Sequence, residues 1–255
     1  MQRIVFFINI LNFYNTMKKF FYLVVLTVMG LFVFTACESS IGGDGENKHK
    51  GHEYVDLGLP SGLKWATCNV GSNTPEGPGY YFAWGEVKPK EKYNSSTYKY
   101  FKIVNDEDIY VTKYCDKDWG GENGFVDNKI VLEPEDDAAT VNWGGKWRMP
   151  TKEEQYELKK NCIWTWTIQD GVKGYRVIGP NGNSIFLPLA GYMIGGTQYV
   201  SGTWGSYWSS SLTDSSPFDS NCLSFGLDED NNNKDMIEFF EVRRSNGQSV
   251  RPVCP

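Results

Sequence analysis

The stretch Tyr175-Arg-Val-Ile-Gly-Pro-Asn-Gly-Asn-Ser-Ile-Phe-Leu187 decides the fold class of this chain. Two short runs rich in aromatic and β-branched residues, 175–178 and 184–187, flank a segment of glycine, proline and asparagine. These three residue types supply the backbone conformations that tight turns need. The stretch therefore predicts a β-hairpin, with its two strands adjacent in an antiparallel sheet.

Further hairpins are predicted on the C-terminal side of this stretch. The paired runs are 191–194 with 197–200 around two glycines, and 223–225 with 236–240 around a polar loop at 228–235. Residues 249–253 predict a last strand. Glycine and tryptophan are abundant, at 27 and 9 residues, whereas long apolar runs are scarce beyond residue 36. This composition favours a loop-rich fold over a helical bundle or a doubly wound sheet.

Upstream of the first hairpin, Thr151-Lys-Glu-Glu154 predicts the start of a short helix. The Thr151 hydroxyl can accept a hydrogen bond from the Glu154 amide while the Glu154 side chain reaches back, which is the pattern of a capping box. Lys159 and Lys160 in the last turn complement the helix dipole. The sequence therefore predicts an α+β fold that is loop-rich, with antiparallel hairpins and one or two short helices.

The first 36 residues are similar to a bacterial secretory signal. Met17-Lys-Lys19 precedes an apolar run at 20–36, and Phe34-Thr-Ala-Cys37 resembles a lipobox, in which the cysteine is acylated before cleavage. We expect residues 1–36 to be a removable signal peptide and Cys37 to carry the lipid. An uncleaved anchor is the alternative, although the run is slightly short for a spanning helix of about 20 apolar residues.

Met17 is a more natural start than Met1, because it brings the basic pair to the N-terminus. Residues 37–52 are polar and glycine-rich, and they predict a flexible tether, which leaves 53–255 as a single domain. The formal charge of −6 becomes −9 when the three cations before Cys37 are removed. An acidic domain without a basic stripe argues against nucleic acid as a partner.

Histidine is confined to His49 and His52, at the end of the predicted tether. The predicted domain therefore lacks the imidazole of Ser-His-Asp and Cys-His catalysis, and of histidine-ligated zinc and haem. Acidic residues are plentiful, but no pair stands out as a glycosidase couple. We accordingly expect a protein that is not an enzyme and that carries no cofactor or metal.

Cysteine leaves two interpretations open. Beyond Cys37, the chain contains Cys68, Cys115, Cys162, Cys222 and Cys254. Export permits disulfides, but an odd number of cysteines without a Cys-x-x-Cys pair does not determine a pairing. Buried reduced thiols that pack as small apolar side chains are an equally good interpretation.

Six motifs follow one another along the predicted domain. They are Glu53-Tyr-Val-Asp-Leu-Gly-Leu-Pro-Ser-Gly-Leu-Lys-Trp-Ala-Thr-Cys-Asn-Val70, Tyr81-Phe-Ala-Trp-Gly-Glu86, Asp136-Asp-Ala-Ala139, Trp143-Gly-Gly-Lys-Trp-Arg-Met-Pro-Thr151, Tyr207-Trp-Ser-Ser-Ser211 and Gly247-Gln-Ser-Val-Arg-Pro-Val253. In this order they resemble the Fibrobacter succinogenes major paralogous domain, which is common in lipoproteins of gut Bacteroidetes. The resemblance implies a C-type-lectin-like fold related to the formylglycine-generating enzyme group. It implies no activity, because a fold alone does not supply one.

Three polar features of these motifs have structural interpretations. Arg148 is predicted to bind a carboxylate, with Asp136 and Asp137 as the acidic candidates. Arg251 is predicted to form an ion pair that locks the last strand. The serines at 209–211 are predicted to satisfy backbone groups at a strand end rather than to act as nucleophiles.

Two metal-based alternatives find partial support in the sequence. Asp228-Glu-Asp-Asn-Asn232 alternates oxygen ligands as a calcium loop does, but Asn233 and Phe239 stand where that loop needs glycine and glutamate. Cys222 and Cys254 are candidates for the thiol pair of a copper-dependent oxidase, with a spacing that does not match. We interpret the first feature as a solvated hairpin loop and the second as structural.

Aromatic residues among glycines indicate where a ligand would bind. Tyr199, Trp204 and Tyr207 are the candidate ligand-binding residues, on a loop platform that spans them, although most of the tryptophans are predicted to be core. We expect a lipid-anchored outer-membrane protein, at the cell surface or on the periplasmic face, that recognises a glycan or a surface protein as an adhesin does. The alternatives are a divergent oxidase or hydrolase, and a structural component of a surface assembly.

Overall fold

The computed structural model describes residues 47–105, 107–228 and 234–255. The predicted signal peptide at 1–36, the lipid site at Cys37, most of the predicted tether and most of the 228–235 loop lie outside these residues. The described part of the chain is mainly antiparallel β-sheet with two short α-helices, which fits an α+β fold in the coarse sense. None of its helices has the length and apolar character needed to cross a membrane.

Strands from both ends of the domain form one four-stranded sheet. Strand β1 (Lys48–His49) pairs with β2 (His52–Asp56), β2 pairs with β3 (Lys64–Ala66), and β3 pairs with the C-terminal β14 (Val253–Cys254). Residues 48–52 therefore belong to a hairpin, and the folded region begins earlier than the predicted tether boundary at residue 52. The last strand is also shorter than the predicted 249–253.

The hairpin predicted at 175–187 is confirmed. Strands β7 (Val172–Ile178) and β8 (Ser184–Pro188) pair in antiparallel register, and β6 (Ile163–Gln169) extends the sheet beyond β7. The hairpin predicted at 191–200 is confirmed as β9 (Tyr192–Ile194) and β10 (Thr197–Tyr199). A separate hairpin of β4 (Phe101–Val104) and β5 (Asp108–Val111) was not predicted.

The third main sheet contains, in this order, strands β11 (Trp204–Leu212), β12 (Asp219–Asp228) and β13 (Lys234–Arg243). Strands β12 (Asp219–Asp228) and β13 (Lys234–Arg243) confirm the third predicted hairpin and are longer than expected. Strand β11 (Trp204–Leu212) occupies part of the segment interpreted as a loop platform. Its glycine and serines have weak β-propensity, but Tyr207 and Trp208 point to opposite faces and enter different core clusters. Burial on both faces therefore outweighs local propensity.

Two helices precede the β6–β8 sheet. Helix α1 (Ala138–Trp143) begins at Asp137, whose carboxylate accepts hydrogen bonds from the Ala139 and Thr140 amides. Helix α2 (Lys152–Asn161) has the predicted capping box at Thr151, which is confirmed in both directions. The first helix was not predicted, since its cap is an aspartate without a glutamate or glutamine three residues later.

The predicted partners of two arginines are wrong. Both terminal nitrogens of Arg148 donate to the Glu154 carboxylate at 2.6 Å, because Asp137 is committed to capping α1. Arg251 forms no ion pair with a described residue. Its guanidinium donates to Asn69 Oδ1 and to three backbone carbonyls, those of Ala66, Thr67 and Phe186.

Aromatic residues fill the core, as two main clusters. One contains Trp84, Tyr114 and Trp208, and the other contains Trp65, Tyr175, Tyr207 and Phe225. Four of the nine tryptophans are at most 2% exposed, namely Trp65, Trp84, Trp147 and Trp208. The five described cysteines form no disulfide, and three of them are buried.

Candidate functional site

A cleft of about 610 Å³ lies beside the β9–β10 hairpin and the β11–β13 sheet. Its walls include Tyr192 from β9, Val200 from the following loop, Trp204 from β11 and Phe240 from β13. The volume lies within the range of about 300–1,000 Å³ that is typical of small-molecule sites. The cleft contains Trp204, the tryptophan that the sequence singled out.

The concavity follows from alternation of side chains along the strands. Cross-strand pairs share one face of a sheet, so Trp204, Ser206, Ser224 and Gly226 lie on the same face. Small residues at the centre leave space between larger ones at the rim. A Cβ atom added at Gly226 would lie 2.6 Å from the Trp204 ring, so glycine allows that ring to lie against β12.

Two aromatic rings form the apolar wall of the cleft. Trp204 and Phe240 meet edge to face, with ring centroids 5.9 Å apart, and Phe240 is 41% exposed. Phe240 pairs with Cys222 across the sheet, which places it on the face that Trp204 occupies. The sequence analysis did not identify Phe240, because the predicted hairpin had no assigned register and a shift of one residue moves a side chain to the other face.

The three predicted ligand-binding residues separate in the structure. Trp204 is half-buried in the cleft wall. Tyr199 is 43% exposed and stacks on Tyr192, a cleft residue, with ring centroids 5.8 Å apart. Tyr207 is 2% exposed, and its hydroxyl donates to the Pro188 carbonyl, so it belongs to the core and not to a binding surface. Burial raises the pKa of Tyr207 to about 12.

Few polar side chains line the cleft, and they differ in whether they have hydrogen-bond partners. Gln248 is 1% exposed, and its Oε1 accepts no hydrogen bond from a described residue. Arg243, the last residue of β13, borders the cleft, but its guanidinium packs on the Phe101 and Phe218 rings, which are not among the described wall residues. Glu241 is engaged, because its two carboxylate oxygens accept hydrogen bonds from the Thr213 and Ser215 hydroxyls. Among the described wall residues, the Gln248 side chain is therefore the one that leaves a buried acceptor unsatisfied.

A strained residue lies at the rim of the cleft. Val200 has φ of 48°, in the left-handed region that β-branched residues rarely adopt. Its carbonyl accepts hydrogen bonds from the Thr203 and Trp204 amides, which hold the loop in this conformation. Strain of this kind accumulates at binding sites, where the surrounding structure imposes it.

The floor of the cleft adjoins a buried thiol. Cys222 Sγ lies 3.0 Å from the Ser206 hydroxyl, and Ser206 also contacts Ser224. Burial raises the pKa of Cys222 to about 11, which keeps it in the unreactive thiol form at neutral pH. Cys254, its proposed partner in an oxidase, lies in a different core cluster. The structure therefore does not bring these two thiols together.

The histidines belong to the folded domain, contrary to the prediction. His49 Nε2 accepts a hydrogen bond from the Lys146 amide, and His52 stacks on Trp143 with ring centroids 3.8 Å apart. His52 also lines a smaller cavity of about 190 Å³ together with Cys68. The position of the two histidines in sequence therefore does not separate them from the folded domain. Neither histidine lines the main cleft.

Three carboxylates elsewhere are close enough to bind a metal ion. Those of Glu133, Glu135 and Asp136 approach one another within 4.8 Å. The Lys113 ammonium lies among them, 2.6 Å from Glu133, 3.7 Å from Glu135 and 2.6 Å from Asp136. A lysine therefore occupies the position that a cation would take.

Similarity to known proteins does not assign a role to these features. Comparisons of the chain with protein-family models, with curated proteins and with solved structures find no significant match.

Proposed function

We propose that this chain is a non-catalytic recognition protein of the cell envelope and that the cleft binds its ligand. One observation carries the proposal: the Trp204–Phe240 pair leaves apolar ring surface exposed in the wall of a 610 Å³ cleft. Aromatic rings stack on the apolar faces of sugars or on peptide side chains, and the amides nearby can read hydroxyl groups. Both rings lie on strands of one three-stranded sheet, which restricts their motion, so little conformational entropy is lost on binding.

The cellular location is part of the same proposal. A lipid on Cys37 would anchor the chain in the outer membrane, and the polar segment before Lys48 would hold the domain away from the lipid surface. Either the cell surface or the periplasmic face is compatible with this arrangement. A chain displayed in this way meets extracellular or periplasmic polymers, which suits recognition of a glycan or a surface protein.

The family resemblance also remains a proposal, with a C-type-lectin-like fold as its consequence. Its support is that the motif residues have structural roles: Trp147, Trp208 and Arg251 are buried, and Arg148 binds the capping-box glutamate. Motifs of this kind specify how a chain packs. They lie largely outside the cleft walls, which would allow related chains to share the fold while binding different ligands.

A glycan and peptide array tests the proposed function. The full chain, purified in detergent, is compared with Trp204→Ala and with Tyr156→Ala, a control that removes a 53% exposed aromatic ring from α2. We expect binding that is lost in Trp204→Ala and retained in Tyr156→Ala. Equal thermal denaturation of the two variants would show that the loss is local.

The array is run with calcium and with chelator. Insensitivity to chelator is expected, since the carboxylate among the described wall residues, that of Glu241, is already held by two hydroxyls. If the wild-type chain binds nothing, or if Trp204→Ala binds as the wild type does, the cleft is not a recognition site.

A further inference from the structure

We propose that strand β6 is a self-association edge, at which it pairs in antiparallel orientation with β6 of a second copy of this chain. β6 is the last strand of the sheet β6-β7-β8, so it has a strand partner, β7, on one side only. None of its residues lines the cleft. The inference therefore goes beyond the proposed function and does not depend on it.

The outer side of β6 has unused backbone hydrogen-bonding groups. In an antiparallel pair, some residues direct their N–H and C=O groups to the partner strand, and the residues between them direct these groups away from it. The groups of residues 163–169 that face away from β7 form no backbone hydrogen bond within the described part of the chain. A row of such groups is a template for another strand, which would form about six hydrogen bonds with it.

The side chains of β6 favour pairing with a second strand. The sequence at 163–169 is rich in β-branched and aromatic residues and contains no charge, proline or glycine. These seven residues are all at least half-exposed or intermediate in exposure, and Ile163 and Ile168 are 68% and 55% exposed. A second strand would therefore remove apolar surface from water as well as satisfy the backbone.

A comparison with the other long edge strand shows that this property is specific to β6. Native proteins commonly protect a free sheet edge with charged side chains. Strand β13, at the edge of the β11–β13 sheet, carries Glu238, Glu241 and Arg243. β6 carries no such protection, although it is equally free on its outer side.

The charges that flank β6 select a second copy as the partner. Lys160 precedes the strand, in the last turn of α2, and Asp170 follows it. Both residues are exposed, and neither forms an ion pair with a described residue. Gln169 donates a hydrogen bond to the Glu76 carboxylate, which places a second acid at the same end. Lys173, the cation nearest to Asp170 in sequence, lies on β7, on the side away from a second copy.

These charges also determine the orientation of the pair. Antiparallel pairing brings the basic start of one β6 beside the acidic end of the other, and symmetry repeats this contact at both ends. Parallel pairing would instead bring like charges together at each end. An uncharged strand with oppositely charged ends is thus complementary to itself in the antiparallel orientation.

Zero-length cross-linking tests this inference. A carbodiimide joins a lysine amine to a carboxylate only where the two are in contact. An equal mixture of isotope-labelled and unlabelled full chain is treated in detergent, and the digested products are identified by mass spectrometry. We expect a product that links Lys160 of one isotopic form to Asp170 of the other. Within one chain the seven residues of β6 hold these two side chains about 23 Å apart, at about 3.3 Å per residue, which is too far for this product.

Variants at the centre and at the ends of the strand measure its contribution. Thr165→Lys brings like charges together at the centre of the pair, so it should weaken self-association at least about 10-fold by sedimentation velocity in detergent. The control Thr197→Lys, at an exposed position of β10, should not change self-association. Lys160→Asp and Asp170→Lys should each weaken it several-fold. The two exchanges together should restore it, which a defect in folding would not allow.

Three results would overturn the inference. The first is a full chain that stays monomeric at every concentration, since the edge then receives a different protein or no strand at all. The second is cross-linking that occurs only within single chains. The third is a Thr165→Lys variant that self-associates as the wild type does, which would place the contact on another surface. Binding that depends on Trp204 is measured separately on the array, so recognition by the cleft can stand or fail independently of these results.

Discussion

Arg243 and Arg244 are adjacent in sequence and belong to regions of opposite character. Arg244 is buried, and it donates to the Tyr98 hydroxyl and to the carbonyls of Lys113, Tyr114 and Pro217. Arg243 lines the cleft and donates to no described residue. The two side chains therefore differ in whether described residues accept hydrogen bonds from their guanidinium groups.

The same contrast holds for the surroundings of the two arginines. Around Arg244, the side chain of Asp136 is 2% exposed and accepts hydrogen bonds from Lys99, Lys113 and Tyr114. We call Arg244, Asp136 and these partners the polar network. The cleft instead combines an unused cation, an unsatisfied amide oxygen and a strained residue. The polar network therefore contributes stability, whereas an unsatisfied buried oxygen and a strained residue each cost stability.

The largest effect is expected from removing Arg244. Arg244→Met removes the guanidinium donor from two buried carbonyls and one partly buried carbonyl, and it should lower the free energy of unfolding by about 3–5 kcal/mol. Arg243→Met should lower it by less than about 1 kcal/mol, because no hydrogen bond to a described residue is lost. Urea denaturation at pH 7 measures both. Similar losses in the two variants would contradict the distinction between the regions.

A smaller effect, confined to acid, is expected at Asp136. Burial alone would raise its pKa, but hydrogen bonds from Lys113, Tyr100, Tyr114 and Lys99 hold the pKa well below its ordinary value. A carboxylate whose pKa is lowered on folding stabilises the protein above its unfolded pKa of about 3.9, and that stability is lost as the pH falls further. Asp136→Asn should therefore cost about 2–3 kcal/mol at pH 7.

The pH profile of unfolding checks this prediction. Below about pH 4 the wild type should lose stability through protonation of Asp136, so its difference from Asp136→Asn should shrink there. The conservative control is Glu135→Gln, since Glu135 is exposed and its contact with Lys113 is long, at 3.7 Å. A difference between wild type and Asp136→Asn that stays constant down to pH 2 would show that the charge of Asp136 is not the stabilising feature.

Local sequence signals predicted the hairpins and helix α2. They predicted little of the cleft or of the polar network. The turn at 179–183 and the capping box at Thr151 act within a few residues, so they can be read without tertiary context. The partners of Arg244 lie up to 146 residues away, and no local pattern indicates them. Arg148 does bind a carboxylate as predicted, but that of Glu154, only six residues away, rather than Asp136 or Asp137.

Of the described residues that line the cleft, the sequence analysis identified one, Trp204, as a candidate binding residue. Trp204 was identified because it stands among glycines, but that reasoning also selected Tyr207, which is buried. Strand alternation decides between them: Tyr207 lies on the core face of β11 and Trp204 on the cleft face. Residues 199–207 were interpreted as a loop, so strand alternation was not applied to them. For the same reason, the position of Phe240 across the sheet from Trp204 was not predicted.

The smallest effect is expected at the strained rim of the cleft. Asparagine adopts the left-handed region more readily than valine does, so Val200→Asn should raise the free energy of unfolding by about 1 kcal/mol. Affinity for the Trp204-dependent ligand should fall several-fold, because an apolar side chain leaves the cleft wall. The stability gain is measured by urea denaturation and the affinity by fluorescence titration.

Val126→Asn is the matched control, since Val126 is exposed to a similar extent and has no positive φ. It should be neutral or slightly destabilising and should not alter binding. If Val200→Asn gains stability and loses affinity, the strained backbone at Val200 costs stability and supports the shape of the cleft. The polar network shows the opposite character, because its groups are satisfied by hydrogen bonds and stabilise the fold. If Val200→Asn loses stability, the conformation of the rim is not a source of strain, and the unsatisfied Arg243 and Gln248 alone distinguish the cleft from the polar network.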